Sequence, residues 1–354
     1  MNFMTGLELK NPVTVVILYV EGDTPDVQEI KVSVSEIENA LLSKGHRVKV
    51  VEVNRNNWWR AIRTSGDVYF NLVEDLTWEL YQKVAFGLEE LGKAQVGHSK
   101  KMLTFAIDKK IMKRKLKQAK LNTPKYRIFS CGEHYLRHIR KLEYPLIVKP
   151  AGQHAGVGIS QDSVVLDEKQ ADERITYLYS NYDGEVLVEE FIQGREITVT
   201  VIGNGKHAIV LPMAELVFSG KYKDNWPIYS YNAKWTENSW EYTDVVVDCP
   251  AGLGTEMEAQ VDSLAKTAFA KLSLVDVVRM DIRIDDKTGK AYIVDINGSP
   301  SMSADPQEGT TRAARALGWS YEDMMETIVA VAYRRVFGKG VSGDEVGKTW
   351  QWQF

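Results

Sequence analysis

The chain has 354 residues, 44% hydrophobic and 26% charged, which excludes a disordered or collagen-like chain and leaves room for two or three domains. Lys and Arg number 44 against 48 Asp and Glu, a net charge of −4 that gives no general electrostatic grip on nucleic acid. Cys131 and Cys249 form neither a CxxC pair nor a metal-ligand spacing, and read as reduced thiols of a cytoplasmic protein.

In chain order, Met1–Pro12 lacks the apolar run of a targeting segment. The apolar run Val13–Val20 is far too short to span a bilayer, and no membrane partner is expected. Thr14–Val20 reads as a parallel strand covered on both faces. A helix over Ser35–Lys44, strands at Arg47–Val53 and Asp67–Leu72 and a helix over Thr77–Leu91 follow, a βαβαβ pattern that predicts an open parallel sheet. Lys109–Lys120 (KKIMKRKLKQAK) is a very basic helix whose plainest reading is a solvated face. A helix around Glu133–Lys141, the strand Pro145–Lys149, a glycine-rich stretch and the helix Glu168–Ser180 suggest a small α+β unit. From Glu185 strands dominate: Val186–Glu190, Glu196–Ile202 and Lys206–Met213. Phe218–Tyr242 has no clean period and is expected to be a lid. Thr255–Leu272 is a helix opened by a Thr255–Glu258 capping box, and Ser320–Phe337 one with Ser320 and Asp323 as its N-cap pair. The expected units are 1–108, 109–184 and 185–338, with an irregular tail over 339–354.

The densest chemical signal is the hairpin Val277–Asn297. In VVRMDIRI, Arg279, Asp281 and Arg283 alternate with apolar residues; in AYIVDIN, Asp295 and Asn297 share a face by the same period of two. In a suitable register two carboxylates and an amide oxygen converge beside an arginine. Such hard oxygen ligands suit Mg²⁺ or Mn²⁺ holding phosphate, and Arg279 would neutralise an anion there. The alternative is a salt-bridged amphipathic hairpin, against which stands the poor strand propensity of Asp. A second signal is KPAGQHAGVG from Lys149 to Gly158, where glycines let backbone N–H groups approach an anion closely. His134 and His138 lie at i,i+4 without an HExxH motif and read as surface residues. No GxSxG motif or cysteine triad signature is present.

Taken together, LIVKPAGQHAGVGIS, VLVEEFIQGREITVTVIGNG, YSYNAKW, CPAGL, VVRMDIRI and YIVDINGSPSM resemble the ATP-grasp superfamily and, within it, the D-alanine–D-alanine ligase family. The resemblance covers nearly the whole chain and is densest from Pro145 to Met302. It implies an ATP-grasp fold of three domains, α/β and α+β, with a parallel α/β domain first. It also implies an ADP-forming ligase that phosphorylates one carboxylate with ATP and lets an amine attack the acyl phosphate. By the same resemblance the ATP lysines are Lys109 and Lys149, and Gly156 belongs to the glycine loop. The adenine-side strand is Glu189, Glu190, Phe191 and Ile192, and the ribose acid is Glu196. The metal ligands are Asp281, Asp295 and Asn297, with Asp where the family usually has Glu at the second position. Arg279 and the lid residue Lys234 meet the transferring phosphoryl group, and Glu29 holds the first substrate's ammonium.

Other positions depart from the family. Ala155 and Gly156 replace paired serines, Trp235 replaces the lid tyrosine, and Glu74 replaces the histidine of an HG motif. Pro306 and Gln307 stand where a Ser and a Leu would recognise the second D-alanine's carboxylate; Thr310, Thr311 or Arg312 are the candidates to take over. The expected function is therefore D-alanine–D-alanine ligase-like peptide-bond formation from amino-acid-like substrates. The alternatives are an ATP-grasp ligase for another amino-acid or natural-product pair, and a nucleotide-binding regulator without catalysis. The family's habit implies a homodimer through the N-terminal domain.

Overall fold

The apolar run that opens the chain becomes β1 (Thr14–Tyr19), the second strand of a parallel sheet ordered β2-β1-β3-β4 with β2 (Arg47–Glu52), β3 (Val68–Leu72) and β4 (Ala94–Gln95). Its continuous hydrophobicity has a simple cause. Val15 and Ile17 pack against the helices Pro25–Ser43 and Tyr321–Phe337, while Val16 and Leu18 pack against the helix Glu79–Glu90 on the other face. The computed structural model describes residues 6–22, 25–74, 78–97, 103, 108–153 and 155–338. The expected helix start at Thr77 and the tail over 339–354 lie outside these residues. Among them no helix is long and apolar enough to cross a membrane.

A second sheet, ordered β5-β8-β6-β7, contains β5 (Tyr126–Phe129), β6 (Leu146–Pro150), β7 (Val164–Val165) and β8 (Val186–Glu190), all antiparallel. The helix Glu168–Asn181 covers one face with Ala171, Ile175 and Leu178. The sequence reading assigned β8 to the C-terminal unit; its pairing with β5 and β6 puts it in the central sheet, and the chain crosses over only after Glu190. The expected helix over Glu133–Lys141 shrinks to one turn, Leu136–Ile139.

The third sheet runs β12-β11-β9-β13-β14, with β10 (Ile209–Val210) also paired to β9 (Gly194–Gly203). Its other members are β11 (Ala214–Phe218), β12 (Val245–Asp248), β13 (Asp276–Asp285) and β14 (Ala291–Asn297). The helix Thr255–Leu272 lies on its apolar face, where Val261, Ala265 and Phe269 meet Val199, Val201, Val278 and Met280. That helix starts without the expected capping box: Gly254 is the N-cap and no side chain bonds there. Ser320 and Asp323 do form a reciprocal capping box. The segment Phe218–Tyr242 is less irregular than its sequence suggests, holding the short helices Tyr231–Trp235 and Trp240–Thr243.

The first and third sheets are tied by a buried ion pair. Asp276, fully buried at φ +59°, accepts from Arg335 Nε at 2.9 Å and Nη2 at 2.7 Å, from Asn204 Nδ2 at 2.9 Å and from Gly97 N at 3.1 Å. Arg335 Nη2 also donates to Gln95 O at the end of β4, at 2.6 Å. Replacing Asp276 with Ala strands a largely buried guanidinium, and is expected to lower unfolding stability by about 3–5 kcal/mol. Urea denaturation checks this; an unchanged midpoint would mean that apolar contacts alone hold the two sheets together.

Candidate active site

The site lies between the second and third sheets, and the period of the strands builds its floor. Asp281 on β13 is the register partner of Asp295 on β14, and Arg279 of Asn297. On the other side, β9 sets Thr200 beside Arg279, Thr198 beside Asp281 and Glu196 beside Arg283. All of these share one face, because alternate residues of each strand point the same way. A bulge follows the acidic pair, between Asp281 and Ile282, where a bulge re-aims neighbouring side chains. Asp281, Asp295, Asn297 and Arg279 are thus brought together as the sequence predicted.

The set consists of two carboxylates and one amide oxygen, all hard donors, which fits Mg²⁺ better than a nitrogen- or sulfur-seeking metal. Among the described residues no group of three or more His, Cys, Asp and Glu side chains is arranged to hold a metal ion, so the amide of Asn297 is needed to complete the trio. Arg279 Nε lies 3.4 Å from Asp281 Oδ1 and Nη1 3.6 Å from Glu308 Oε1. Burial works against its charge, but Asp281 and Glu308 outweigh this and hold the guanidinium above its ordinary pKa.

The basic helix, Lys109–Gln118, departs from its plain reading as a solvated face. Lys109, Met112, Lys113 and Leu116 recur at helical spacing and form its buried face, while Lys110, Arg114 and Lys117 stay exposed. Lys113 Nζ sits 2.6 Å from Glu189 Oε2, and Lys149 Nζ 2.5 Å from Glu189 Oε1. Lys109 Nζ donates to Gln153 O of the glycine loop at 2.6 Å. Burial pulls Lys109 and Lys113 below the ordinary lysine pKa. Burial also opposes charge on Glu189, but Lys113 and Lys149 outweigh it and keep its carboxyl below the usual range. Lys109, Lys113 and Lys149 thus line one wall with Glu189 and Asp295 as counter-charges, a cluster of cations able to meet an anion such as phosphate. Lys113 was missed by the sequence reading, although its i,i+4 spacing from Lys109 was the available signal.

Glu190, next along β8, points to the opposite side, where it meets Lys125 at 3.2 Å and accepts from Glu143 N at 3.0 Å. Any contribution of Glu190 to the cleft is main-chain. Phe191 packs with Val164, Ile228 and Trp226 in an apolar cluster suited to a flat ring. Ile192 O accepts from Arg283 Nε at 2.6 Å, and Arg283 lies over the Phe191 ring and binds Glu196 Oε2 at 2.6 Å. Burial raises the Glu196 carboxyl above its ordinary value despite Arg283.

The strap 218–242 is docked on the glycine loop. Trp235 Nε1 donates to Ala155 O at 2.9 Å, and Tyr231 N to Ile159 O at 3.1 Å. Gly156, at φ +79°, leaves space for this: a Cβ there would lie 3.2 Å from Tyr231 N. Lys234 reaches inward with Nζ 5.0 Å from the Tyr229 ring centroid. Burial first, then the neighbouring Arg279, lowers its pKa. Burial and the nearby Glu308 push Tyr229 up to about 12.

The N-terminal unit closes the far side. Glu29 lies on the helix Pro25–Ser43, and Glu36 follows two turns later on the same face. Glu36 Oε2 accepts from Ala304 N at 2.7 Å and Ser303 Oγ at 3.1 Å, fixing that helix against the loop that leaves Asn297. Tyr81, fully buried, hydrogen-bonds Ser299 and feels the Glu74 carboxylate, so Glu74 also borders this loop. Arg312 does not take over as a free carboxylate receptor. Its Nη1 donates to Val247 O and its Nη2 to Gln307 Oε1, while Thr311 Oγ1 donates to Ser303 O at 2.5 Å.

Two outcomes are expected. Glu189→Gln removes the counter-charge of Lys113 and Lys149, with a stability loss of about 3–5 kcal/mol near neutral pH. Because the folded carboxyl is depressed, its contribution is full above the unfolded value and vanishes as pH falls through the folded one. The difference between wild type and variant in urea midpoint should therefore shrink below about pH 4; a gap independent of pH would contradict the ion-pair assignment. Trp235→Phe keeps an aromatic ring but loses part of the indole and the bond to Ala155 O, the latter worth about 1 kcal/mol of docking. Trypsin should cut the strap several-fold faster, and equal rates would show that its docking does not depend on this bond.

Residues 116–330 match the family model described as D-ala D-ala ligase C-terminus. The chain is 32% identical over 244 residues to D-alanine–D-alanine ligase B of Xanthomonas campestris pv. campestris, covering 68% of each chain. It is 34% identical over 250 residues to the D-alanine–D-alanine ligase of Bordetella pertussis, covering 70% of this chain and 73% of that one. The crystal structure of D-alanine–D-alanine ligase from Bacillus anthracis complexed with ATP shares the fold at a TM-score of 0.73 and 18% identity, over 93% of this chain and 100% of that one. With the matched segment carrying Lys149, Glu189, Arg279 and the acidic trio, the chain belongs to the D-alanine–D-alanine ligase family of ATP-dependent ligases.

Proposed function

We propose that this ADP-forming ligase activates an amino-acid carboxylate as an acyl phosphate over the β13–β14 face and passes it to an amine. The observation that carries the reading is the convergence of Asp281, Asp295, Asn297 and Arg279 on one face, with Lys234 brought in by the strap. Lys109, Lys149 and the Gly156 loop take the ATP phosphates, Phe191 and Ile192 with the main chain of Glu189 and Glu190 take the adenine, and Glu196 takes the ribose. Asp281, Asp295 and Asn297 would hold Mg²⁺ or Mn²⁺, which neutralises phosphate charge when bound. Arg279 and Lys234 stabilise the charge that grows on the phosphoryl oxygens and on the oxyanion of the tetrahedral intermediate formed by amine attack. The docked strap keeps water from the acyl phosphate, whose hydrolysis would waste ATP.

Glu29 is assigned to the ammonium of the first substrate, with Glu74 beside the same loop as a second anion. Two acids there favour a charged amine. The relatives are named for D-alanine; Trp235, Ala155, Glu74 and Pro306 in this chain argue that D-alanine is a poor substrate here, or not the sole one. The reaction is placed in the cytoplasm, in keeping with the unpaired Cys131 and Cys249, and the chain is assigned a homodimer through its N-terminal unit.

Turnover should require Mg²⁺ or Mn²⁺ and give ADP and phosphate, read by coupled assay across a panel of amino-acid pairs with product masses. Arg279→Ala or Asp295→Asn should lower kcat by about 10²–10³ while the circular dichroism spectrum is kept. AMP as the product, or an unchanged kcat in either variant, would remove the basis for these roles.

A further inference from the structure

We propose that Arg283 is a positioning residue for nucleotide recognition, holding one oxygen of Glu196 so that the other is pre-set to read the ribose hydroxyls of ATP. It rests on the ligase reading above and extends it to a polar-face residue of β13 that the reaction leaves unused. Arg283 is the register partner of Glu196 and lies two residues beyond Asp281, about 7 Å along the strand. Its guanidinium carbon is 4.6 Å from the centroid of the Phe191 ring. It therefore stands beside the wall assigned to the base and one pleat from the acids assigned to the metal. Only 4% exposed, it directs its N–H groups to four acceptors. Nε donates to Ile192 O at 2.6 Å, Nη1 to Glu196 Oε2 at 2.6 Å and to Pro227 O at 2.9 Å, and Nη2 to Gly194 O at 2.9 Å.

The way the pair is made separates it from an ordinary salt bridge. An arginine and a carboxylate that serve only each other meet through two parallel bonds. Arg195 and Glu215, on β9 and β11 of the same sheet, do so: Nε donates to Oε1 and Nη2 to Oε2. Arg283 instead gives Glu196 a single nitrogen, because Nε and Nη2 are taken by the main-chain carbonyls on either side of the crossing from β8 to β9. Only Oε2 of Glu196 is engaged. Among the described residues no hydrogen-bond donor reaches Oε1, and the Glu196 side chain keeps 13% exposure against 5% for Arg283. The arginine is sealed in, while the acid has an open edge. A free glutamate must give up rotamer freedom when it binds a hydroxyl; anchoring one oxygen removes most of that cost beforehand. The guanidinium fork is rigid, so the carbonyls of Ile192, Gly194 and Pro227 together fix where the carboxylate stands. Pro227 itself lies between Trp226 and Ile228, which pack with Phe191 in the apolar cluster of the base wall. One side chain thus ties the ribose acid to the frame around the base.

The test uses the full-length protein and needs no amino-acid substrate. Calorimetric titration with Mg²⁺ present gives Kd for ATP, 2′-deoxyATP and 3′-deoxyATP. In the wild type the weaker of the two deoxynucleotides should bind less tightly than ATP by about tenfold or more, the scale of a hydrogen bond to a charged group. Glu196→Gln should bring that ratio within about threefold. Arg283→Met, which keeps an apolar stem on Phe191, should do the same although Glu196 is intact. Adding Arg283→Met to Glu196→Gln should lower the ratio no further, since both act through one contact. Arg283→Lys keeps a cation but not the fork, and should not restore it. A merely structural role for Arg283 would weaken the three nucleotides alike and leave the ratio where it was. Equal binding of the three by the wild type would overturn the proposal even if no variant folds, and so would an unchanged ratio in Arg283→Met or in Glu196→Gln. A wild-type protein that binds no Mg-ATP at all would instead strike the ligase reading, and the proposal with it.

Discussion

The candidate site depends on the pleat of one antiparallel sheet. In β9 and β13, residues of one parity bury Val199, Val201, Val278 and Met280 against the helix Thr255–Leu272. Residues of the other parity present Thr198, Thr200, Arg279 and Asp281 to the cleft. A slip of one residue would exchange the two sets, burying carboxylates under the helix and exposing the core. The apolar packing that stabilises the sheet therefore also fixes the register Asp281↔Asp295 and Arg279↔Asn297. No separate device is needed to aim the acids, because stability and function are set by the same alternation.

Electrostatics takes over where the pleat ends. The opposite wall is built on Glu189, whose carboxylate faces Lys113 and Lys149 with Lys109 close by. Buried lysines are costly without partners, and Asp295 shares with Glu189 the task of compensating them. On the third sheet, Glu308, an acid with a buried unbonded oxygen, sits beside Arg279.

The two walls are held in relation by contacts far apart in the chain. Trp235 and Tyr231 tie the strap of the third sheet to the glycine loop of the second. Glu36 and Tyr81 tie the N-terminal unit to the loop that follows Asn297. The last helix packs Met324, Met325 and Ile328 into the core of the first sheet, so the two ends of the described chain share one hydrophobic interior.

Much of this was legible in the sequence, for a physical reason: alternation and helical spacing are local properties. The strand β1, the hairpin β13–β14, the helix Thr255–Leu272 and the capped helix after Ser320 follow from residues within one turn or one pleat of each other. So does the shared face of Arg279, Asp281, Asp295 and Asn297. The sequence did not determine the partners that lie across the fold. β8 joins the central sheet because β5 and β6 offer it an edge, which nothing within Val186–Glu190 announces. Lys113 and Lys110 are equally basic letters; helical spacing puts Lys113 on the face of Lys109 and Met112, but only the packed structure sets the carboxylate of Glu189, dozens of residues away, against it. Arg312 reads as a free cation until Val247 and Gln307 are found to hold it. Glu308 reads as an ordinary loop acid until the tertiary structure sets it beside Arg279. Burial and charge pairing depend on long-range contacts, so the pattern of the chain fixed which residues face together, and only the packed structure decided what they face.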